Sequence, residues 1–238
     1  MKGRAESNPA FGADASLRYK RVLQSKWMAR CDSPRNETAA ILIIISVPFL
    51  SSGVIGVVCR PYVLLDRDGT ILAEKNYLAS VNQVELLPGS LDGLRMLKDA
   101  GFGLIVVTNQ SGIARGKLTV GTLEAIHAEM DRKLAAGGVR LDGLYYCPHG
   151  PDEGCQCRKP MPELARRAAA DFGFDLREAF VIGDKPADVE LGRNCGARTI
   201  LVRTGYGREH EDTVKADLVA DDLVDAARYI LRQQTATR

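Results

Sequence analysis

Two aspartates two residues apart, Asp66 and Asp68, stand in the run Asp66-Arg67-Asp68-Gly69-Thr70, directly after Val63-Leu64-Leu65. A glycine lets the chain turn sharply behind them, so both carboxylates can face one ligand. One can attack a phosphorus atom while the other handles protons. Three further clusters suit the same chemistry. Thr108-Asn109-Gln110-Ser111-Gly112 follows Ile105-Val106-Val107 and offers hydroxyl, amide and main-chain N–H groups to phosphate oxygens. Arg158-Lys159-Pro160 precedes a helix expected from Met161, which puts two cations at the positive end of a helix dipole. Gly183-Asp184-Lys185 follows Phe180-Val181-Ile182, and Asp184 can complete a Mg²⁺ site with Asp66. Each segment alone has a plainer reading, a turn for the first and fourth, a polar loop for the second and a solvated basic pair for Arg158-Lys159. Four together, each suited to phosphate, do not.

A second constellation is Cys147, His149, Cys155 and Cys157. Three thiols and one imidazole make a Cys₃His set, a common composition of closed structural zinc sites. The Cys-x-Cys spacing is tighter than a zinc finger's. Cys157 is next to Arg158 and Lys159, so a zinc there would fix the loop that delivers both cations.

These clusters need a frame that brings them together. Tyr62 to Leu65, Gly103 to Val107, Gly143 to Tyr146, Ala179 to Ile182, Thr199 to Val202 and Asp217 to Val219 read as strands, most of them continuous apolar runs suited to burial on both faces. Helical spacing lies between them, over Leu91 to Ala100, Val120 to Ala136, Met161 to Phe172, Ala187 to Cys195 and Leu223 to Arg232. Strand–helix alternation predicts an α/β fold with a doubly wound parallel sheet. Such sheets bind ligands beyond the carboxyl ends of their strands, where all four phosphate clusters fall. His127 falls within a predicted helix as an ordinary surface or core residue. Asp188 is either a helix N-terminal acid or a support for Lys185 or the metal site.

The chain has 238 residues and a net charge of +2, too little for a field that grips nucleic acid. Residues 1 to about 37 are polar, with eight Lys/Arg against four Asp/Glu, and promise little stable structure. Ala39 to Cys59 carries no charge and is about long enough to span a bilayer. Only Arg60 and Pro61 separate it from the first strand, a reach of roughly 10 Å. A start assigned too far upstream, with translation beginning near Val57 or Val58, is therefore preferred to a membrane anchor or a soluble extension. Residues 1–60 are expected to stand outside the fold and 61–238 to form one domain.

The order DxDGT, Thr-Asn, Lys, Gly-Asp resembles the haloacid dehalogenase superfamily of phosphotransferases, from about Tyr62 to the C-terminus. The resemblance implies Asp66 as nucleophile, Asp68 as general acid/base, and Thr108 and Lys159 as stabilisers of the transferring phosphoryl. It implies Mg²⁺ held by Asp66, Asp184 and the main-chain carbonyl of Asp68. No large insertion separates the motifs, so no cap domain is expected and the site should be open.

Within that superfamily, Asn109-Gln110-Ser111-Gly112-Ile113-Ala114-Arg115-Gly116, Tyr145-Tyr146-Cys147-Pro148-His149 and the zinc loop resemble the D-glycero-D-manno-heptose 1,7-bisphosphate 7-phosphatases. That resemblance implies substrate contacts from Glu74, Lys75, Asn76, Tyr77, Asn109, Gln110, Ser111, Arg158 and Lys185. It also implies a cytoplasmic monomer that acts on a phosphorylated sugar, with neither nucleic acid nor membrane as partner. Two alternatives remain. Histidinol-phosphate phosphatases share the fold and a similar zinc loop but usually depart from the Ser-Gly-Ile-Ala-Arg-Gly run. A zinc-stabilised nucleic-acid-binding module lacks support from the low charge and from the absence of interleaved basic and aromatic residues.

Overall fold

The computed structural model describes residues 60–236. Six strands form one parallel sheet: β1 (Tyr62–Leu65), β2 (Gly103–Asn109), β3 (Gly143–Cys147), β4 (Phe180–Gly183), β5 (Arg198–Val202) and β6 (Leu218–Ala220). Their order across the sheet is β3-β2-β1-β4-β5-β6. The direction of winding reverses between β1 and β4, and the crevice beyond their carboxyl ends is where such sheets hold ligands.

The helices are α1 (Ser90–Asp99), α2 (Val120–Ala136), α3 (Glu163–Phe172), α4 (Pro186–Cys195), the short α5 (Gly207–His210) and α6 (Leu223–Ala236). Side chains alternate across a strand, and the two faces of this sheet carry two cores. Val63, Leu65, Leu104, Val106 and Ile182 pack with Leu94 and Leu97 of α1, Leu123 and Ile126 of α2, and Ile230 of α6. Tyr62, Leu64, Ile105, Val107 and Val181 pack with Leu164, Ala165 and Ala168 of α3 and Leu191 of α4. Full burial of β1, residue by residue, explains why its sequence is an unbroken apolar run rather than an alternating one.

The predicted elements agree with the observed ones to within one or two residues, apart from the end of α6, and two short helical turns and α5 were not anticipated. Helix α3 starts at Glu163, two residues beyond the expected Met161, with Pro162 before it. The cations Arg158 and Lys159 are therefore displaced from a helix N-terminus, and that part of the expectation fails. The long connections 66–89 and 148–162 carry no inserted second domain. Arg60 already binds the amino end of the sheet through Gly101 O, Phe102 O and Asp142. The proposed extension, with its apolar run, lies otherwise outside the described residues. Among the described residues no helix is long and apolar enough to cross a membrane.

Candidate active site

Asp66 leaves β1 and Asp184 leaves β4, so the two adjacent central strands bring them together from 118 positions apart in sequence. Asp188, in the first turn of α4, completes a group of three buried carboxylates whose oxygens lie within 4.8 Å of one another. Pro186 opens α4 and Asp188 Oδ2 accepts from the Lys185 main-chain N–H at 3.1 Å, which fixes the third acid in place.

Lys159 enters this group from the long connection that follows β3. Its Nζ donates to Asp66 Oδ1 at 2.7 Å, Asp188 Oδ1 at 2.6 Å and Val107 O at 2.8 Å. Its charge is thus delivered by a loop into the carboxylate cluster rather than by a helix end. Burial opposes ionisation of Asp66, but Lys159 and then Lys185 hold its carboxyl below the usual range. Burial, reinforced by the charge of Asp66, pushes Asp184 up to about 7.

Asp184 carries the clearest sign of a missing partner. Its Oδ2 accepts from the Tyr206 N–H at 2.9 Å, but its buried Oδ1 has no hydrogen bond, and Lys185 Nζ stands off at 3.6 Å. Buried carboxylate oxygens without donors are rare and call for a cation or water. The surrounding chain leaves no room for side chains. A Cβ on Gly69 (φ +84°) or Gly205 (φ +56°) would sit 2.1 Å from Asp184 Oδ2. Three hard oxygen donors at this separation fit a Mg²⁺ ion. Asp66 and Asp184 would hold it, with Asp188 alongside. The Asp68 side chain stands apart from the group, so a share for Asp68 would come through its main-chain carbonyl.

The carboxylate of Asp68 is held by Arg67, whose Nη2 lies 2.8 Å from Oδ2, and by Gln110 Nε2 at 2.9 Å. Gln110 Nε2 also donates to Thr108 Oγ1 at 3.0 Å. Asn109 clasps the main chain of Lys159: its Oδ1 accepts from Lys159 N at 2.9 Å and its Nδ2 donates to Lys159 O at 3.1 Å. Asn109 thus positions the lysine across 50 residues of sequence, in addition to lining the cleft.

An open cleft of about 200 Å³ lies over these groups. Eight of the nine expected substrate residues line it, namely Glu74, Asn76, Tyr77, Asn109, Gln110, Ser111, Arg158 and Lys185. Lys75 does not. Its Nζ pairs with Glu85 at 2.9 Å, outside the lining. Glu74 instead pairs with Lys185 at 2.9 Å, and Tyr206 donates to Asn76 Oδ1 at 2.8 Å.

Cys147 leaves β3 as an adjacent strand end and meets His149, Cys155 and Cys157. Sulfur and nitrogen atoms approach at 3.2 to 3.6 Å, among them His149 Nδ1 to Cys157 Sγ and Cys147 Sγ to Cys155 Sγ. Tetrahedral zinc with Zn–S near 2.3 Å separates its ligands by about 3.5 to 3.8 Å. The four residues fit a closed zinc site.

Four residues were missed or undervalued. Asp188 had been left between two roles and joins the acids. Its signal was Pro at the first helical position followed by an acid two residues on. Arg67 was read only as a spacer within the first motif, and His127 as an ordinary helix residue, yet both are wholly buried and touch each other. Tyr206, which donates to Asp184 and to Asn76, sits in a loop with no motif that could mark it.

Comparison with known proteins agrees with this geometry. Residues 156–226 match a family model described as HAD-hydrolase-like. A D-glycero-beta-D-manno-heptose-1,7-bisphosphate 7-phosphatase of Escherichia coli K12 is 40% identical over 183 residues, covering 73% of this chain and 95% of the relative. The enzyme of that name from Yersinia pestis is 39% identical over 179 residues, covering 71% and 95%. The crystal structure of D,D-heptose 1,7-bisphosphate phosphatase from B. bronchiseptica, complexed with magnesium and phosphate, superposes with a TM-score of 0.69 at 36% identity, over 72% of this chain and 98% of that one. Parallel order, paired carboxylates and near-complete coverage of these relatives converge, and the chain belongs to the D-glycero-beta-D-manno-heptose-1,7-bisphosphate 7-phosphatase family.

Proposed function

We propose that this chain is a Mg²⁺-dependent phosphatase that removes the 7-phosphate of D-glycero-D-manno-heptose 1,7-bisphosphate through a phosphorylated Asp66. The observation that carries the reading is the meeting of Asp66 and Lys159 at the floor of an open, polar cleft, with the partnerless oxygen of Asp184 buried in the carboxylate group beneath them.

Asp66 attacks phosphorus in line, forming an acyl phosphate as the bond to the sugar oxygen breaks. Asp68 gives that oxygen its proton, then takes one from the water that cleaves the acyl phosphate and restores Asp66. Lys159 and Thr108 face the phosphoryl oxygens, whose charge must be met in a buried setting. Mg²⁺ held by Asp66, Asp184 and the Asp68 carbonyl supplies further neutralisation of that charge. Glu74, Asn76, Tyr77, Ser111, Arg158 and Lys185 surround the sugar and its second phosphate. Zinc in the Cys147, His149, Cys155 and Cys157 set is structural, since four protein ligands leave no position for water. The same reading makes the chain a cytoplasmic monomer that serves synthesis of nucleotide-activated heptose for lipopolysaccharide core or surface glycans.

The test is phosphate release with Mg²⁺ from heptose bisphosphate, histidinol phosphate and p-nitrophenyl phosphate, by the parent and by Asp66→Asn. Turnover of heptose bisphosphate that disappears in Asp66→Asn, with zinc content unchanged, is the expected result. Fast hydrolysis of histidinol phosphate with heptose bisphosphate inert would reassign the substrate, and an active Asp66→Asn would end the mechanism.

A further inference from the structure

Arg67 is one of the largest wholly buried side chains in the protein, at 1% exposure, and every edge of its guanidinium is occupied. Nε and Nη2 reach both oxygens of Asp68 at 2.8 to 3.2 Å. Nη2 also donates to Gln110 Oε1 at 3.0 Å. Nη1 lies 3.0 Å from His127 Nε2, on α2 and 60 residues away in sequence. A guanidinium has donors only, so the imidazole nitrogen must be the acceptor. His127 is therefore neutral, with its proton on Nδ1. Its surroundings agree, since burial and then the charge of Arg67 push it down to about 3. His127 itself is 1% exposed and does not line the cleft.

Of the groups in this network, Asp68 and Gln110 reach the cleft, and Asp68 alone can exchange protons with a substrate. The guanidinium is a planar fork whose two-point grip sets the direction of the carboxylate. With Nη1 unpaired, the fork could turn about its own stem and take Asp68 with it. We infer that His127 is a positioning residue: by accepting from Arg67 it holds the Arg67 fork, and so the Asp68 carboxyl, at the angle needed to protonate the departing sugar oxygen. The inference rests on the role proposed above for Asp68 but adds a residue from α2 that neither the motifs nor the cleft would select.

A structural role alone would slow every substrate alike. Loss of proton delivery would not, because a sugar alkoxide needs a proton to leave and p-nitrophenolate does not. The experiment compares the parent with His127→Leu and His127→Gln, both zinc-loaded and with saturating Mg²⁺. For His127→Leu, kcat on heptose bisphosphate should fall at least about tenfold with KM within about threefold, a fraction of the 10²–10⁴ that general acid–base catalysis contributes. The pre-steady-state burst of p-nitrophenolate should keep its rate within about threefold. His127→Gln, whose amide oxygen can accept from Nη1, should restore heptose bisphosphate turnover to within about threefold of the parent. Equal losses on the two esters, or undiminished sugar ester turnover in His127→Leu, would overturn the positioning role. If His127→Leu does not fold, His127→Asn against His127→Gln makes the same contrast, since the shorter amide does not reach Nη1. A parent inert toward heptose bisphosphate would instead defeat the functional reading, and the parent's own turnover keeps the two failures apart.

Discussion

Replacing Asp184 by Asn should stabilise the metal-free protein while abolishing its response to Mg²⁺. Asp184 is wholly buried, and burial together with the charge of Asp66 moves it from the ordinary 3.8 to about 7. An acid raised on folding costs stability once it is forced to ionise, and the cost is complete above the folded value and absent below the unfolded one. The gap between 3.8 and about 7, at 1.36 kcal/mol per pH unit, makes the penalty about 4 kcal/mol at pH 8. Asn keeps an oxygen for the Tyr206 N–H and removes the charge. For a domain of this size that corresponds to a rise in Tm of roughly 10 °C at pH 8 without metal, shrinking to little at pH 4. The assay is thermal unfolding in chelator-treated buffer at both pH values, repeated with saturating Mg²⁺. In the parent, the ion should restore what the carboxylate costs, and turnover should depend on it. In Asp184→Asn, Mg²⁺ should shift neither Tm nor activity. A less stable metal-free variant at pH 8, or one still stabilised by Mg²⁺, would refute both the buried-charge argument and the assignment of Asp184 to the cation.

Lys159→Met should act in the opposite sense. It leaves Asp66 and Asp188 facing each other without their shared cation, which should cost about 3–5 kcal/mol in the metal-free protein and, with Mg²⁺, about a hundredfold or more in kcat. Unfolding in urea and steady-state kinetics check the two halves. His127 is lowered on folding, so the unfolded chain takes up its proton first and stability is lost as pH falls from 6.5 towards about 3. The loss should reach about 2 kcal/mol at pH 5, and it should be missing from His127→Gln when the two proteins are unfolded in parallel at pH 7 and pH 5. Removing zinc with a chelator, Mg²⁺ being resupplied, should lower kcat at least about tenfold. It should not abolish turnover, because Asn109 still clasps the Lys159 main chain. Full activity with no zinc found by metal analysis would show that the loop needs no ion.

How much of this was legible in the sequence depends on how local each feature is. Strands read well because a parallel sheet covered on both faces demands uninterrupted apolar runs, and β1, β2 and β4 have them over most of their length. Asp66, Thr108, Asp184 and Cys147 read well because each stands at or just beyond the end of such a run, so finding the strand finds the residue. The start of α3 was misplaced because Met161 fits a helical period, whereas the chain through Pro160 and Pro162 is still turning there. Lys75 stands outside the cleft lining for a related reason. It is adjacent to Glu74, but the chain bends here, with Asn76 at φ 63° and the Tyr77 N–H bonded to Lys75 O, and the two side chains part, one to Lys185 and the other to Glu85. Arg67 and His127 were illegible for a deeper reason. A buried arginine is expensive to desolvate and exists only if distant parts of the chain supply acceptors. Here the neighbouring Asp68 supplies the charge, but the remaining acceptors come from a helix 60 residues away and a strand-end loop 43 residues away. No local pattern records that closure. It follows that a motif reading finds the groups at strand ends that face the cleft and passes over His127, which lies inside α2 and reaches the site through Arg67.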